Sequence, residues 1–94
     1  MKIYLQLESY GIIPDTKIFE IVTRLFIPSL FNYEHNEFSD FYLLEIVSDK
    51  IYTANNLIDD LRKEIGPFKI KQIKIEYTPK EIEKLKTIMV TDIL

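Results

Sequence analysis

The chain has 94 residues, of which 47% are hydrophobic and 29% are charged, and its formal net charge is −3. This composition is typical of one folded domain spanning residues 1–94, and it excludes a disordered or collagen-like chain. The chain has no cysteine, which excludes a disulfide framework and thiolate-ligated metal sites. Residues 1–6 become polar too early for a signal peptide, and the uncharged runs are too short to span a membrane. We therefore expect a cytoplasmic protein with no membrane contact.

The first two predicted elements are a strand and a helix. From residue 3 to residue 8, apolar side chains alternate with polar or aromatic ones, a pattern typical of a half-buried strand. Pro14 suits the first turn of a helix and Asp15 is favourable near its positive end, while Pro28 stops the same helix. The apolar residues between them recur at helical spacing: Ile18, Ile21, Val22, Leu25 and Phe26.

Two more strands follow. Residues 31–35 alternate between ring-bearing and polar side chains and predict a short strand, which ends in a turn around Asn36 and Glu37. Residues 41–47 are the most apolar and most β-prone run of the chain. Such a run favours a central strand that is covered on both faces.

A second helix is predicted in the middle of the chain. Apolar residues recur at helical spacing between residues 57 and 65. Thr53 is a candidate cap, although the apolar stripe also allows a start near Asp49. Gly66 and Pro67 together predict the end of the helix, because glycine tolerates the left-handed conformation and proline cannot continue the helix.

The last strand and the last helix carry two specific local signals. The strand is rich in lysine, and its apolar phase slips between Ile70 and Ile73, which predicts a bulge or a late start near Gln72. Residues 78–81 form a capping box, in which a threonine and a glutamate side chain each bond to the other's backbone N–H. A third helix is therefore expected to begin at Pro79.

The element order βαββαβα indicates an α+β fold: a ferredoxin-like βαββαβ plait with an additional C-terminal helix. Right-handed crossovers then place the first and third strands at the centre of the sheet and the second and fourth at its edges. Lys69, Lys71 and Lys74 suit an edge strand, where charge discourages aggregation. The sheet face turned away from the first two helices is partly apolar. We expect the last helix, a second copy of the chain or another protein to cover it.

The residue types that carry most enzyme chemistry are sparse. The two glycines are isolated, so the chain has no phosphate-binding loop, and no serine stands at a motif spacing from a histidine. His35 is the only histidine, beside Glu34, Glu37 and Asp40. It is either a general base or metal ligand, or a surface histidine in an acidic turn, and we favour the second interpretation. We therefore expect no enzyme activity, no metal and no cofactor.

The predicted plait resembles the RNA recognition motif, in which aromatic residues of the central strands stack on bases. Tyr4 and Phe41 lie on the first and third predicted strands and suit that role. The third strand lacks the basic-glycine-aromatic signature of that family, and the acidic half of the chain would face the nucleic acid. We therefore expect no nucleic-acid partner.

Charge is distributed unevenly along the chain. Residues 1–49 hold eight acidic and three basic side chains, a net of −5, whereas residues 50–94 have a net of +2. This asymmetry predicts a protein-interaction module: a small acidic inhibitor or modulator of a basic-surfaced macromolecule. A nucleic-acid-handling enzyme or a toxin is the kind of partner that fits, as for proteins of phage or defence systems.

The predicted binding site surrounds the turn between the second and third strands. Three acidic residues would form a rim that steers the partner: Glu34, Glu37 and Asp40. Three aromatic residues beside them would be the anchors: Tyr33, Phe38 and Phe41.

A second hypothesis belongs to a different functional class. In it the chain is a homodimeric ACT-like regulatory domain that binds a small ligand between its subunits. Gly11 alone supports it, because such domains have a glycine-rich turn after the first strand. Under either hypothesis the partly apolar second sheet face predicts a homodimer.

Overall fold

The structure, a computed structural model, describes residues 1–35 and 40–93, and the side chains of residues 1–35 and 40–86. Its elements are β1 (Lys2–Ser9), α1 (Asp15–Phe26), β2 (Leu30–His35), β3 (Phe41–Val47), α2 (Ala54–Ile65), β4 (Phe68–Glu76) and α3 (Pro79–Ile93). They form an α+β structure with a four-stranded antiparallel sheet and three helices, compatible with a ferredoxin-like fold. The predicted turn at Asn36 and Glu37 lies outside the described residues.

The strand order of the sheet is β2-β3-β1-β4, and all neighbouring strands are antiparallel. The prediction that the first and third strands are central is therefore confirmed. The predicted irregularity in β4 is also confirmed, since Gln72 pairs with Gln6 while Ile70 pairs with Leu7. Lys71 is the extra residue of this bulge, and it allows the apolar residues before and after it to stay on one face of the sheet.

The core lies between one face of the sheet and the two helices α1 and α2. Alternate residues of β1 and β3 are buried there, as their period of two predicts. Burying each such side chain contributes roughly 1.5–3 kcal/mol. The core is made by these residues of β1, β3, α1 and α2: Ile3, Leu5, Leu7, Tyr42, Leu44, Ile46, Ile18, Ile21, Val22, Phe26, Leu57 and Leu61.

The expectation that β3 is covered on both faces is wrong. Phe41 remains 37% exposed and Leu43 remains 44% exposed. The buried residues of α1 and α2 belong to one core cluster with the opposite side chains of the strand, so both helices lie on the same face of the sheet. The other face, which we call the outer face, is left open at these two residues.

The helix ends follow local chemistry with small differences from the prediction. Pro14 is the N-cap of α1 and not its first helical residue. Thr53 caps α2 by accepting a hydrogen bond from the Asn56 N–H at 3.3 Å, which excludes the earlier start near Asp49. Gly66 ends α2 with φ 95°, a backbone conformation that glycine adopts without steric cost.

The predicted capping box at the start of α3 is confirmed. The Thr78 N–H donates to Glu81 Oε1 at 2.9 Å, and the Glu81 N–H donates to Thr78 Oγ1 at 3.3 Å. Glu81 has a further partner that the sequence pattern does not reveal. The ammonium group of Met1 donates to Glu81 Oε2 at 2.8 Å and to the Ser48 carbonyl at 2.9 Å. Glu81 therefore joins the start of α3 to the start of β1, and the same Met1 ammonium joins both to the end of β3.

Candidate functional site

The structure separates the six residues of the predicted binding site. Glu34 and Phe41 lie on the outer face of the sheet, and Asp40 is exposed where β3 begins. Tyr33 lies on the opposite face, since it pairs with the buried Leu44. Tyr33 and Phe41 therefore do not form one surface. Glu37 and Phe38 lie outside the described residues.

Tyr33 is held by an aromatic cluster at the β2 edge. Its ring packs edge-on against Phe19 at 5.7 Å between ring centroids, and Phe19 also contacts Phe31 at 5.2 Å. Its hydroxyl donates to Asp15 Oδ1 at 2.7 Å. Burial, and then this hydrogen bond to Asp15, raises the pKa of Tyr33 well above its usual value of 10.0. Tyr33 is thus a neutral donor that links β2 to the start of α1.

His35 is also part of the packing. Its ring stacks on Tyr42 with 4.1 Å between centroids and 4° between planes. The Tyr42 hydroxyl accepts a hydrogen bond from the Ile13 N–H at 2.8 Å. Among the side chains of residues 1–35 and 40–86, no three histidine, aspartate or glutamate groups are arranged so as to hold a metal ion. The described contacts of His35 are those of a packing ring.

The loop between β1 and α1 carries two of the three most exposed large apolar side chains of the described residues, the third being Ile27 at the end of α1. Tyr10 is 68% exposed and Ile12 is 79% exposed. The loop is nevertheless tied down: the hydroxyl of the buried Ser9 donates to the Gly11 carbonyl, and the Gly11 N–H returns a hydrogen bond to it at 3.1 Å. The Ser9 N–H donates to the Asp40 carbonyl at 2.9 Å. The loop therefore lies beside the start of β3.

We call the surface formed by Tyr10, Ile12, Asp15 and Asp40 the loop end. Sequence patterns did not single out its two apolar residues. A signal was present in Tyr-Gly-Ile-Ile-Pro, residues 10–14, because so short a connection cannot bury every apolar side chain that it carries. Ile13 is the one that turns into the core, where it is 6% exposed.

The outer face holds a shallow depression of about 480 Å³. Tyr4 is one of its lining residues, and the ammonium groups of Lys2 and Lys74 lie over the Tyr4 ring at 5.0 and 6.0 Å from the centroid. Lys2 also pairs with Glu45 at 3.4 Å, and Lys74 pairs with Glu76 at 3.0 Å. The described charges of this face thus largely neutralise one another, which favours neither a polyanion nor a strongly basic partner here.

The ion pairs of the outer face shift the pKa values of two of its charged groups. The pKa of Lys2 is raised by its hydrogen bonds to Tyr4 and Glu45. The neighbouring Lys74 lowers the pKa of Glu76. Both groups therefore stay charged over the ordinary range of pH, and the pairs persist while the face is open to solvent.

No protein-family model, curated protein or solved structure matches this chain. In the part of the chain that the structure describes, no helix has the length and apolar character needed to cross a membrane. Within the side chains that the structure describes, the loop end, the outer face and the β2 edge each carry exposed apolar or aromatic residues that a partner can contact.

Proposed function

We propose that this chain is a non-enzymatic protein-interaction module that inhibits or modulates a basic-surfaced macromolecule. A nucleic-acid-handling enzyme or a toxin is the class of partner that fits. The observation that carries the proposal is the loop end. There Tyr10 and Ile12 project at 68% and 79% exposure from a loop that the hydrogen bonds between Ser9 and Gly11 hold in place. The exposed Asp15 follows them at the start of α1, and the backbone of the exposed Asp40 bonds to Ser9.

The loop end has the composition of a binding hot spot. Large apolar side chains in the middle of an interface contribute most of its affinity, while charged groups at the rim contribute less. The hydrogen bonds between Ser9 and Gly11 hold the loop in place before a partner arrives. Binding then has less conformational entropy to remove, which favours affinity.

The overall charge map supports a basic partner. Residues 1–49 have a net charge of −5, and this half of the chain includes the whole loop end. Complementary charge speeds the encounter of two proteins and aligns them as they approach. In this proposal Glu34 extends the acidic rim beyond the loop, and Glu37 is assigned to the rim from the sequence alone. Tyr10 and Ile12 take the anchor role expected of Tyr33 and Phe41.

The test is capture of a partner from cells of the source organism, with the purified chain as bait. The double substitution Tyr10→Ser with Ile12→Ser should abolish capture, and because both side chains are exposed, circular dichroism should show an unchanged fold. The matched control reverses three exposed lysines of α3 to glutamate and should keep the partner: Lys80, Lys84 and Lys86. If only the lysine variant loses the partner, the functional surface is α3 and the partner is acidic.

The finer description of the fold belongs to the same proposal. We assign residues 1–76 to a ferredoxin-like plait and α3 to an added C-terminal helix, all within one domain. The strand order β2-β3-β1-β4, with α1 and α2 packed on one face, supports this assignment. The lack of cysteine supports a cytoplasmic location, because disulfide bonds rarely form in that reducing compartment.

A second candidate function is an ACT-like regulatory domain, and one observation favours it. The depression of about 480 Å³ on the outer face has the volume of a small-ligand site. Its wall includes polar groups of Gln6, Asn32, Glu45 and Gln72. A rise in melting temperature with one of the free amino acids, lost on Gln6→Leu, would support this function over the first.

A further inference from the structure

The two edges of the sheet are protected very differently. The β4 edge carries Lys69, Lys71 and Lys74, and its bulge at Lys71 interrupts the regular ladder. The β2 edge has no lysine, no proline and an uninterrupted register with β3 over all its six residues. Lysines and bulges are the means by which proteins prevent edge strands from pairing with other chains. β2 lacks both.

The hydrogen bonds of β3 show which of its backbone groups face which neighbour. The Ser48 N–H donates to the Met1 carbonyl at 3.0 Å, and the Ser9 N–H donates to the Asp40 carbonyl at 2.9 Å. In an antiparallel ladder the backbone groups of successive residues point alternately to the two neighbouring strands. Even-numbered residues of β3 therefore bond to β1, and odd-numbered residues bond to β2.

The same alternation shows which groups of β2 are left at the edge. The residues opposite the odd-numbered residues of β3 are Leu30, Asn32 and Glu34, and these bond to β3. The backbone N–H and C=O groups of Phe31 and Tyr33 consequently point away from the sheet. Among residues 1–35 and 40–93, no backbone group bonds to them.

Aromatic side chains flank this edge on the helix side, and Leu30, Asn32 and the acidic Glu34 flank it on the outer face. Phe19 of α1 overhangs it, 48% exposed and in contact with Phe31 and Tyr33. Leu30 lies on the outer face at 43% exposure. Thr23, an uncharged residue, follows Phe19 by four positions and shares its helix face. The free backbone groups thus lie between an aromatic cluster on the helix side and the exposed Leu30 on the outer face, with Glu34 as the acidic residue of the strand.

We propose that the β2 edge is a homodimer interface, at which a second copy of the chain adds its own β2 in antiparallel orientation. The two sheets then become one continuous sheet of eight strands, four from each copy. The free groups define the register: Phe31 pairs with the partner's Tyr33, and Tyr33 pairs with the partner's Phe31. The two-fold axis passes beside Asn32.

This register satisfies the two-fold symmetry of a homodimer and brings no like charges opposite each other. Aromatic residues lie opposite aromatic residues on the helix side, a favourable cross-strand pair. On the outer face Leu30 lies opposite the partner's Glu34, so Glu34, the acidic residue of β2, never meets its own copy. On the outer face, three ion pairs within one chain already use most of the described charges: Lys2 with Glu45, Lys71 with Glu8, and Lys74 with Glu76.

Two substitutions at Leu30 test both the surface and the register. Leu30→Glu places like charges opposite each other twice in the dimer. It should therefore raise the dissociation constant of the dimer about tenfold. Leu30→Lys places a lysine opposite the partner's Glu34, and the dimer should persist or tighten. Leu30 is an exposed edge residue in the monomer, so both variants should fold. Sedimentation velocity over a dilution series measures the dissociation constants.

Amide hydrogen exchange gives an independent readout. Protection of the Phe31 and Tyr33 N–H groups should rise with protein concentration in the wild-type chain and should be lost in the Leu30→Glu variant. A dimer that responds equally to both substitutions would overturn the proposed surface. A chain that stays monomeric at every concentration, with these amides protected only when another protein is present, would make the edge a site for an extended segment of that protein and would overturn the homodimer. Neither result depends on the loop end. The homodimer can therefore be contradicted while the proposed function stands, and the reverse is also true.

Discussion

Glu81 carries more of the structure than its place in a capping box suggests. Its carboxylate accepts hydrogen bonds from the Thr78 N–H and from the Met1 ammonium, and the residue is 8% exposed. Burial by itself raises the pKa of Glu81, but the hydrogen bonds from Met1 and Thr78 outweigh it and hold the pKa below its usual value of 4.5. The folded state therefore favours the ionised carboxylate.

The first prediction is that Glu81→Gln lowers the free energy of unfolding at neutral pH by about 2 kcal/mol, because a buried ammonium loses its charged partner. The pKa of Glu81 is lower in the folded than in the unfolded chain. The stability that it contributes is therefore complete above pH 4.5 and is lost as the pH falls through the folded value. Urea denaturation at several pH values should show the difference between the two proteins shrinking in acid.

A matched control for this prediction is Glu20→Gln, which changes an exposed glutamate of α1. We expect it to leave the free energy of unfolding within about 0.5 kcal/mol of the wild type. Equal effects of the two substitutions, or a difference that stays constant down to strongly acid pH, would show that the ammonium–carboxylate pair does not stabilise the fold.

The residues of the binding surface illustrate what sequence patterns reveal and what they leave out. The sequence is enough to identify the aromatic residues next to the acidic turn as candidate anchors. The face of the sheet on which each lies depends on the phase of β2 against β3. That phase puts Tyr33 against Phe19 and Asp15, and leaves Phe41 on the outer face. The exposure of Tyr10 and Ile12 depends on how the loop leaves β1. No periodic pattern encodes such a conformation.

At the scale of elements, periodicity and capping chemistry predicted most of the fold. The strand phases, the bulge beside Gln72 and the start of α3 follow from residues that are close in sequence. The error was the double coverage of β3. Its apolar run fits a strand buried on two faces equally well, and only the packing of α1 and α2 on the same side decides between the two arrangements.

The end of α1 is strained, and this gives the second prediction. Ile27 has φ 44° and ψ 59°, a left-handed conformation that costs a β-branched residue about 1–2 kcal/mol. Glycine adopts it at little cost, and the 68% exposed side chain of Ile27 contributes little packing. Ile27→Gly should therefore raise the free energy of unfolding by about 1 kcal/mol, part of the gain being offset by the more flexible unfolded chain.

The control for the strain argument is Ile27→Val, which keeps a β-branched side chain at the same position. Its melting temperature should equal that of the wild type, while that of Ile27→Gly should be higher by a few degrees. If the glycine variant melts at or below the temperature of the valine variant, the left-handed turn before Pro28 is not a source of strain.

At the scale of the whole molecule, the loop end and the β2 edge are separate surfaces, and the residue that both proposals use is Glu34. The loop end gathers at one end of the strands, where Ser9 bonds to Asp40, whereas the β2 edge runs along the side of the sheet. A dimer joined through β2 would leave Tyr10 and Ile12 exposed in both copies. Such a dimer presents two loop ends to a partner and gains avidity where the partner offers two sites.

The last prediction concerns how the charge of the whole molecule acts on binding. Acids at an interface rim mainly set the association rate and its dependence on salt, whereas buried apolar anchors set the dissociation rate. Reversing three acids of the amino-terminal half to lysine should therefore slow association with the captured partner and flatten its salt dependence: Glu34, Glu37 and Asp40. The substitutions at Tyr10 and Ile12 should instead speed dissociation and leave the salt dependence unchanged. Surface plasmon resonance at several salt concentrations separates the two effects, with the Lys80, Lys84 and Lys86 reversal as the control.

The low-salt measurement decides whether the acids steer the partner, because the screening length is greatest there and steering is strongest. A charge-reversal variant that associates as fast as the wild type at low salt would show that the acidic half of the chain does not steer the partner.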